Sequence, residues 1–276
     1  IIASSLAIVL DTATMDRVSN KAIFLAKEVI KNVGYDETSI EYESRIHKQS
    51  TDINNAVSKN EQGAGDQGIV YGYAIKETDS FMPLPITLAN RIIRRLEEVR
   101  RKNIIEGLLP DGKSQVSIEY DDEKIIGIKS IIISAQHKKS KNVIELKQEI
   151  KNLIIDYVFE DYDLTNTEIL INPSGRFVLG GFKADTGLTG RKLMVDTYGG
   201  RSHHGGGAFS GKDPSKVDRS GAYFARYIAK NATAVLPLPT SPLIILDIVR
   251  EDLTSLNISS NACICEGVGV NFSAET

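Results

Sequence analysis

The spacing of apolar residues along the chain predicts three amphipathic helices. In residues 16–33 the apolar positions recur at helical spacing and end at Gly34, which suits a C-terminal cap, so we expect a helix packed on a sheet. A second helix is expected after Pro83 and Pro85, and a third in residues 143–158. The predicted inward positions are, in the first helix, Val18, Ala22, Leu25, Val29 and Val33; in the second, Leu88, Ile92, Leu96 and Val99; and in the third, Val143, Leu146, Ile150, Leu153 and Tyr157.

The second helix also carries a row of arginines, which we interpret as a solvated face that points to water rather than as a nucleic-acid-binding surface. These residues are Arg91, Arg94, Arg95, Arg100 and Arg101.

Alternation in residues 115–120, a turn at 121–124 and a β-branched run at 125–137 predict a hairpin. The apolar start, residues 1–10, reads as a buried strand, because it is too short to span a bilayer and lacks a basic leader region. Residues 45–62 are polar without periodicity, which predicts a mobile loop of the kind that acts as a lid. The order of elements predicts an α+β fold with helices on one face of a sheet.

Composition narrows the function only slightly. The 276 residues carry a formal net charge of −3, so the net charge does not favour binding to nucleic acid or to an anionic membrane. Cys263 and Cys265 lack the partners of a zinc site, so we expect free thiols in a reducing compartment. The first residue is isoleucine, which suggests that the sequence begins inside a longer gene product.

Two short motifs carry candidate chemistry. Residues 63–68 read Gly-Ala-Gly-Asp-Gln-Gly, without the Lys and Ser or Thr of a P-loop, so they form either a plain tight turn or a site where Asp66 holds a ligand's ammonium group. Asp111 and Lys113 precede a predicted strand. They are either a turn acid and a solvated lysine, or polar contacts to a nucleotide at the mouth of the strand.

Glycines and charged residues concentrate in residues 172–231. Glycines let backbone N–H groups approach anionic oxygens, and four cations can neutralise phosphate charges, so we expect polyphosphate binding. Those cations are Arg191, Lys192, Lys212 and Lys216. Asp218 beside them could hold Mg²⁺ together with the phosphates. His203 and His204 are interpreted as solvated loop residues, because no ligand set surrounds them.

These motifs, in this order, resemble those of methionine adenosyltransferases (S-adenosylmethionine synthases), over residues 46–234. The resemblance rests on GAGDQG at 63–68 and on GGGAFSGKDPSKVDRS at 205–220. It implies repeated sheet-and-helix domains and the formation of S-adenosylmethionine from ATP and L-methionine, with the triphosphate hydrolysed and released as pyrophosphate and phosphate. It also implies Mg²⁺ and K⁺ as cofactors, and a homodimer or dimer of dimers in the cytoplasm.

The resemblance also implies roles for particular residues. Gln49 and Asp66 should contact methionine, with Gln49 on the mobile loop, and Lys216 should lie where methionine and phosphate meet. Asp111 and Lys113 match nucleotide-site positions, Phe177 should lie against adenine, and Asp185 should contact the substrates. The triphosphate positions are Arg191, Lys192 and Lys212, and Asp218 matches a magnesium ligand.

The sequence also departs from the family's pattern. It contains no Gly-His-Pro-Asp-Lys motif, which supplies the family's catalytic histidine and a second magnesium ligand, and the resemblance ends after Ala234. We therefore expect three regions: 1–62, a remnant of an N-terminal domain with a mobile loop; 63–171, a central domain; and 172–276, the start of a C-terminal domain with an atypical tail. Two functions stay open, an active methionine adenosyltransferase and a catalytically silent or regulatory subunit that binds ATP or polyphosphate.

Overall fold

The computed structural model of the chain describes residues 12–46, 51, 68–122, 124–235, 243–248 and 263–264. In chain order its elements are α1 (Thr12–Val33), a 3₁₀ turn (Glu37–Ser39), β1 (Gly68–Tyr73), α2 (Leu84–Arg101), β2 (Leu108–Asp121), β3 (Lys124–His137), α3 (Val143–Ile150), a π-helical segment (Lys151–Ile155), α4 (Asp156–Val158), β4 (Glu168–Ile171), a second 3₁₀ turn (Gly181–Lys183), α5 (Leu193–Asp196), α6 (Val217–Val235), β5 (Leu243–Ile248) and β6 (Cys263–Ile264).

These elements form two compact units. Of the described residues, one unit holds 12–46 and 85–186, and we call it the hairpin unit. The other holds 51, 68–84 and 187–264, and we call it the cavity unit. Each unit has its own three-stranded sheet together with helices, so the predicted α+β class is confirmed.

The sheet of the hairpin unit has the order β2-β3-β4, with β2 and β3 antiparallel and β4 parallel to β3. Helix α2 lies against β2, where the Ser114 hydroxyl donates to the Ala89 carbonyl at 2.8 Å. The predicted hairpin and the second helix are thus confirmed. So are the inward positions of that helix, which are buried: Leu88, Ile92, Leu96 and Val99.

The interpretation of the arginine row on α2 is partly wrong. Arg91, Arg94 and Arg101 are exposed as expected, but the side chains of Arg95 and Arg100 are only 16% and 12% exposed. Arg95 donates to the carbonyl of Leu153 at 3.0 Å and Arg100 pairs with Glu97 on its own helix. Long side chains can lie along the protein surface and cover apolar groups, which a helical wheel does not show.

The third predicted helix is present, but in its last turns different residues from those expected face the interior. Leu146 and Ile150 are buried as expected, whereas Tyr157 is 55% exposed and Ile154 and Ile155 are fully buried instead. The π-helical segment is the cause, because a wider turn inserts residues into the 3.6-residue repeat and rotates the apolar stripe.

Helix α1 also ends as predicted, since the N–H of Tyr35 reaches back to the Ile30 carbonyl at 3.1 Å around Gly34. The expected packing of its apolar face on a sheet is wrong, because Leu25 and Val29 are 50% and 56% exposed. Periodicity shows that a face is apolar and does not identify what covers it.

The cavity unit has a second sheet of order β1-β5-β6, with both strand pairs antiparallel. Helix α6 packs closely on β1, because glycine at position 72 leaves room for the backbone carbonyl of Ala225. A Cβ at Gly72 would overlap that carbonyl. Small side chains on the helix continue the contact, and the buried cluster consists of Val70, Ala74, Ala222, Ala225 and Ala229.

Several predictions fall outside the described residues. They are the strand at 1–10, most of the loop at 45–62, Gln49, Asp66 in the glycine-rich turn, and Cys265. No helix in the described ranges is long and apolar enough to cross a bilayer.

Candidate functional site

A cavity of about 180 Å³ lies in the cavity unit where β1, α6 and residues 196–209 meet. Its lining combines aromatic and ionisable side chains, among them Tyr71, Asp196, His204, Phe209, Asp218 and Arg226. Glycine is required at position 205, because a Cβ there would overlap the carbonyl oxygen of Ile69 in β1. The glycine-rich segment that the sequence singled out therefore forms one wall of this cavity.

His204 is not the solvated loop residue that the sequence suggested, whereas His203 is exposed as expected. The His204 ring is half-buried and lies 5.9 Å from the ring of Phe209, measured between centroids. Its Nδ1 accepts the N–H of Gly206 at 2.7 Å. Burial lowers the pKa of His204, and the negative charges of Asp196 and Asp218 oppose that shift. A neutral imidazole therefore lies between the glycine-rich loop and an aromatic ring.

Lys212 and Asp218, two residues with predicted roles, are each other's partners. The Lys212 Nζ lies 2.5 Å from Asp218 Oδ2, and the two side chains are 23% and 37% exposed. The guanidinium of Arg219 donates to the Lys212 carbonyl, which anchors the backbone of the loop. The structure thus places a cation predicted to bind phosphate directly against a carboxylate predicted to bind Mg²⁺.

The other predicted cations lie near this pair in sequence or in a separate turn. Lys216 is half-buried immediately before α6, and its carbonyl accepts the N–H groups of Arg219 and Ser220 in the first turn of that helix. Arg191 and Lys192 are exposed in the turn that precedes α5. Their predicted contacts to triphosphate stay predictions.

The donor groups suit a magnesium ion that arrives with phosphates. Among the described residues, no three His, Cys, Asp or Glu side chains are grouped to hold a metal by themselves. Asp196 and Asp218 both line the cavity, and Mg²⁺ usually binds through one or two carboxylates plus substrate phosphates. The implied K⁺ stays a prediction without assigned ligands.

In the hairpin unit, Asp111 and Lys113 do not lie at the mouth of a strand, because β2 begins earlier than expected and contains both. The register of β2 is irregular between Leu108 and Gly112, and the Asp111 carboxylate accepts the N–H of Gly181 at 2.7 Å. Lys113 is exposed. The direct nucleotide contacts implied for both residues stay predictions.

Tyr35 adds an aromatic group beside Asp111 that sequence reasoning did not select. Its ring meets the ring of Phe182 edge-on at 4.9 Å between centroids. Burial raises the pKa of Tyr35, and the negative charge of Asp111 adds to that rise. The Tyr35 phenol therefore stays protonated and neutral.

Phe177 is half-buried in the segment after β4, where His137 binds its backbone. Asp185 is exposed and accepts the N–H of Thr186 at 2.7 Å in a local turn. Sequence reasoning missed Gln136, His137 and Asn172, which are buried polar residues. The available signal was polar residues at the end of an otherwise β-branched strand.

Comparison with family models identifies the chain. The model of the S-adenosylmethionine synthetase central domain matches residues 61–177, and that of the C-terminal domain matches residues 179–236. The two matches together span more than half of the chain and include all of the candidate site residues except Gln49. The family's N-terminal domain is not among the matched segments. The chain belongs to the S-adenosylmethionine synthetase family.

Proposed function

We propose that the chain is a methionine adenosyltransferase subunit that forms S-adenosylmethionine from ATP and L-methionine. The observation that carries this proposal is the Lys212–Asp218 pair, which lies in the matched C-terminal domain, with Asp218 lining a cavity walled by the glycine-rich loop. A preorganised cation beside a carboxylate suits a substrate that brings both phosphates and a divalent metal.

The proposed reaction needs charge stabilisation more than proton transfer. The thioether sulfur of methionine attacks the 5′ carbon of the ATP ribose, the carbon–oxygen bond breaks, and triphosphate leaves with its electron pair. The sulfur becomes a sulfonium and loses no proton, so no general base is required. Negative charge grows on the leaving oxygen, and fixed cations are an effective means of stabilising it.

The proposed roles follow from that demand. Arg191, Lys192 and Lys212 would stabilise the triphosphate, and Lys216 would lie where methionine and phosphate meet. Magnesium, when bound, would neutralise phosphate charge with Asp218 as its protein ligand. The remaining contacts are proposed for Gln49, Asp66, Asp111, Lys113, Phe177 and Asp185.

Product formation tests the proposal. A protein of these 276 residues should form S-adenosylmethionine from ATP and methionine, with Mg²⁺ and K⁺, at least about 10²-fold more slowly than a family member that has the Gly-His-Pro-Asp-Lys motif. The reason is that this sequence contains neither the histidine nor the aspartate of that motif. Turnover at the rate of such a relative would show that other residues replace them.

The alternative, a silent subunit that binds ATP or polyphosphate, predicts binding without any turnover. Mass spectrometry of the product separates the two, because an active chain must yield S-adenosylmethionine in an amount that falls in Lys212→Ala, whereas a silent subunit yields none. Binding of neither ATP nor triphosphate would exclude both functions. We further propose a homodimer or dimer of dimers in the cytoplasm, and sedimentation of the purified chain would test its oligomeric state.

A further inference from the structure

The segment after β4 lies along the end of β3 in the hairpin unit. Asn172 begins this contact, since its side-chain oxygen accepts the N–H of Ala135 at 2.8 Å and its side-chain nitrogen donates to the Ala135 carbonyl at 3.1 Å. Asn172 has a positive φ of 43°, so the chain turns sharply there. The following residues run back past the last residues of β3.

His137 holds both backbone polar groups of Phe177. The N–H of His137 donates to the Phe177 carbonyl at 2.9 Å, and the N–H of Phe177 donates to His137 Nε2 at 3.1 Å. The other ring nitrogen, Nδ1, lies 2.9 Å from the Lys138 carbonyl. A carbonyl only accepts, so Nδ1 carries the proton and Nε2 is free to accept. The neutral imidazole thus satisfies both contacts in one tautomer.

Gln136 and Asp111 extend this hold to the next residues. The Gln136 side chain donates to the Val178 carbonyl at 3.0 Å and accepts the N–H of Asp111 at 3.2 Å. Asp111 in turn accepts the N–H of Gly181 at 2.7 Å. Side chains of β2 and β3 therefore bind backbone groups at three points between residues 177 and 181.

The hydrogen bonds between His137 and Phe177 start from a buried residue. His137 is fully buried, whereas Phe177 is half-buried, so part of Phe177 reaches the surface while its backbone is hydrogen-bonded to a residue of the interior. Loss of the imidazole would leave the N–H of Phe177 without its acceptor, whereas the carbonyl of Lys138 would keep the N–H of Lys141 as a donor. Unpaired buried polar groups are costly, and the segment would move to satisfy them.

We propose that His137 is a positioning residue that sets the place of Phe177 and thereby supports recognition of the nucleotide base. This inference rests on the proposed function, in which Phe177 lies against adenine. It predicts that His137 contributes to the affinity for an adenine nucleotide and not to the affinity for inorganic triphosphate, which has no base.

Calorimetric titration of the full chain with two probes tests this inference. The probes are adenylyl imidodiphosphate and inorganic triphosphate, each with Mg²⁺. We expect His137→Leu to weaken the nucleotide about tenfold and to leave triphosphate binding unchanged within about twofold. His137→Gln keeps an acceptor near the place of Nε2 and should restore most of the loss. Gln115→Leu, at an exposed position of β2, is the matched control.

Several outcomes would overturn the inference. Equal weakening of both probes would show that His137 only supports the fold, and an equal loss in His137→Gln would exclude the acceptor role. If His137→Leu does not fold, Phe177→Ala tests the inference instead. An unchanged ratio of its affinities for adenylyl imidodiphosphate and triphosphate would show that Phe177 does not contribute to binding of the base. The double variant His137→Leu/Phe177→Ala should lose no more nucleotide affinity than Phe177→Ala alone, because His137 acts through Phe177. If the wild-type protein binds adenylyl imidodiphosphate no more tightly than inorganic triphosphate, this inference alone is refuted. If it binds neither probe, the proposed function is refuted as well.

Discussion

Replacement of Lys212 with alanine should separate the stability of the cavity unit from its ligand binding. The Lys212 Nζ and Asp218 Oδ2 atoms are 2.5 Å apart, but the side chains are 23% and 37% exposed. Solvent therefore screens the pair, and partly exposed ion pairs contribute about 1 kcal/mol or less to the free energy of unfolding. We expect Lys212→Ala to fold and to lose only that amount in urea denaturation.

The expected effect on triphosphate binding is larger. If Lys212 donates a charge-assisted hydrogen bond to a phosphate oxygen, its loss should weaken binding by about 1.5 to 3 kcal/mol, which is about 10- to 150-fold in the dissociation constant. The difference between the two magnitudes is the diagnostic feature, because a variant that merely loosens the loop would lose stability and affinity together.

Asp218→Asn provides the second arm of the experiment. Without Mg²⁺, the aspartate competes with phosphate for Lys212, so its neutralisation should tighten triphosphate binding by about twofold to fivefold. With Mg²⁺, the wild-type protein should gain more affinity than Asp218→Asn, because the variant has lost a carboxylate ligand. The advantage of Asp218→Asn over the wild type should therefore shrink when Mg²⁺ is added, and it should reverse if the extra gain of the wild type exceeds about fivefold.

Titration calorimetry with triphosphate, with and without Mg²⁺, measures these effects. Lys230→Ala is the matched control, since Lys230 is an exposed lysine on α6. Unchanged triphosphate affinity in Lys212→Ala would refute the role of this lysine. A similar loss in Lys230→Ala would show that only the net charge matters.

The remaining predictions concern stability. Gly72→Ala should lower the free energy of unfolding by about 3 kcal/mol or more, because its Cβ would overlap the Ala225 carbonyl, whereas Gly68→Ala, with open space around it, should change it by less than about 0.5 kcal/mol. Equal effects would contradict the close packing of α6 on β1. Leu25→Ala should cost less than about 1 kcal/mol and Ile92→Ala about 2 to 5 kcal/mol in denaturant titrations, since Leu25 is 50% exposed and Ile92 is fully buried; a large loss at Leu25 would show that its face is covered in solution.

Local pattern was sufficient for most of the secondary structure. Helix α2 with its buried Leu88 and Ile92, the hairpin, and the end of α1 at Gly34 follow from periodicity, β-branching and capping, which act over a few residues. The pattern failed where the helix geometry itself changed. Because of the π-helical segment, Ile154 and Ile155 are buried in place of the expected Tyr157. The apolar periodicity of the sequence does not indicate a π-helical turn there.

By itself, the sequence determined the family, through ordered motifs in two segments that the family models also match, and it selected Lys212 and Asp218 as chemistry-bearing residues. Only the tertiary structure decided that these two pair with each other, that His204 lines a cavity, and that His137 holds Phe177. The physical reason is that such contacts depend on how distant backbone segments approach. The His137–Phe177 contact spans 40 residues, and its strength comes from burial that one-dimensional spacing does not encode.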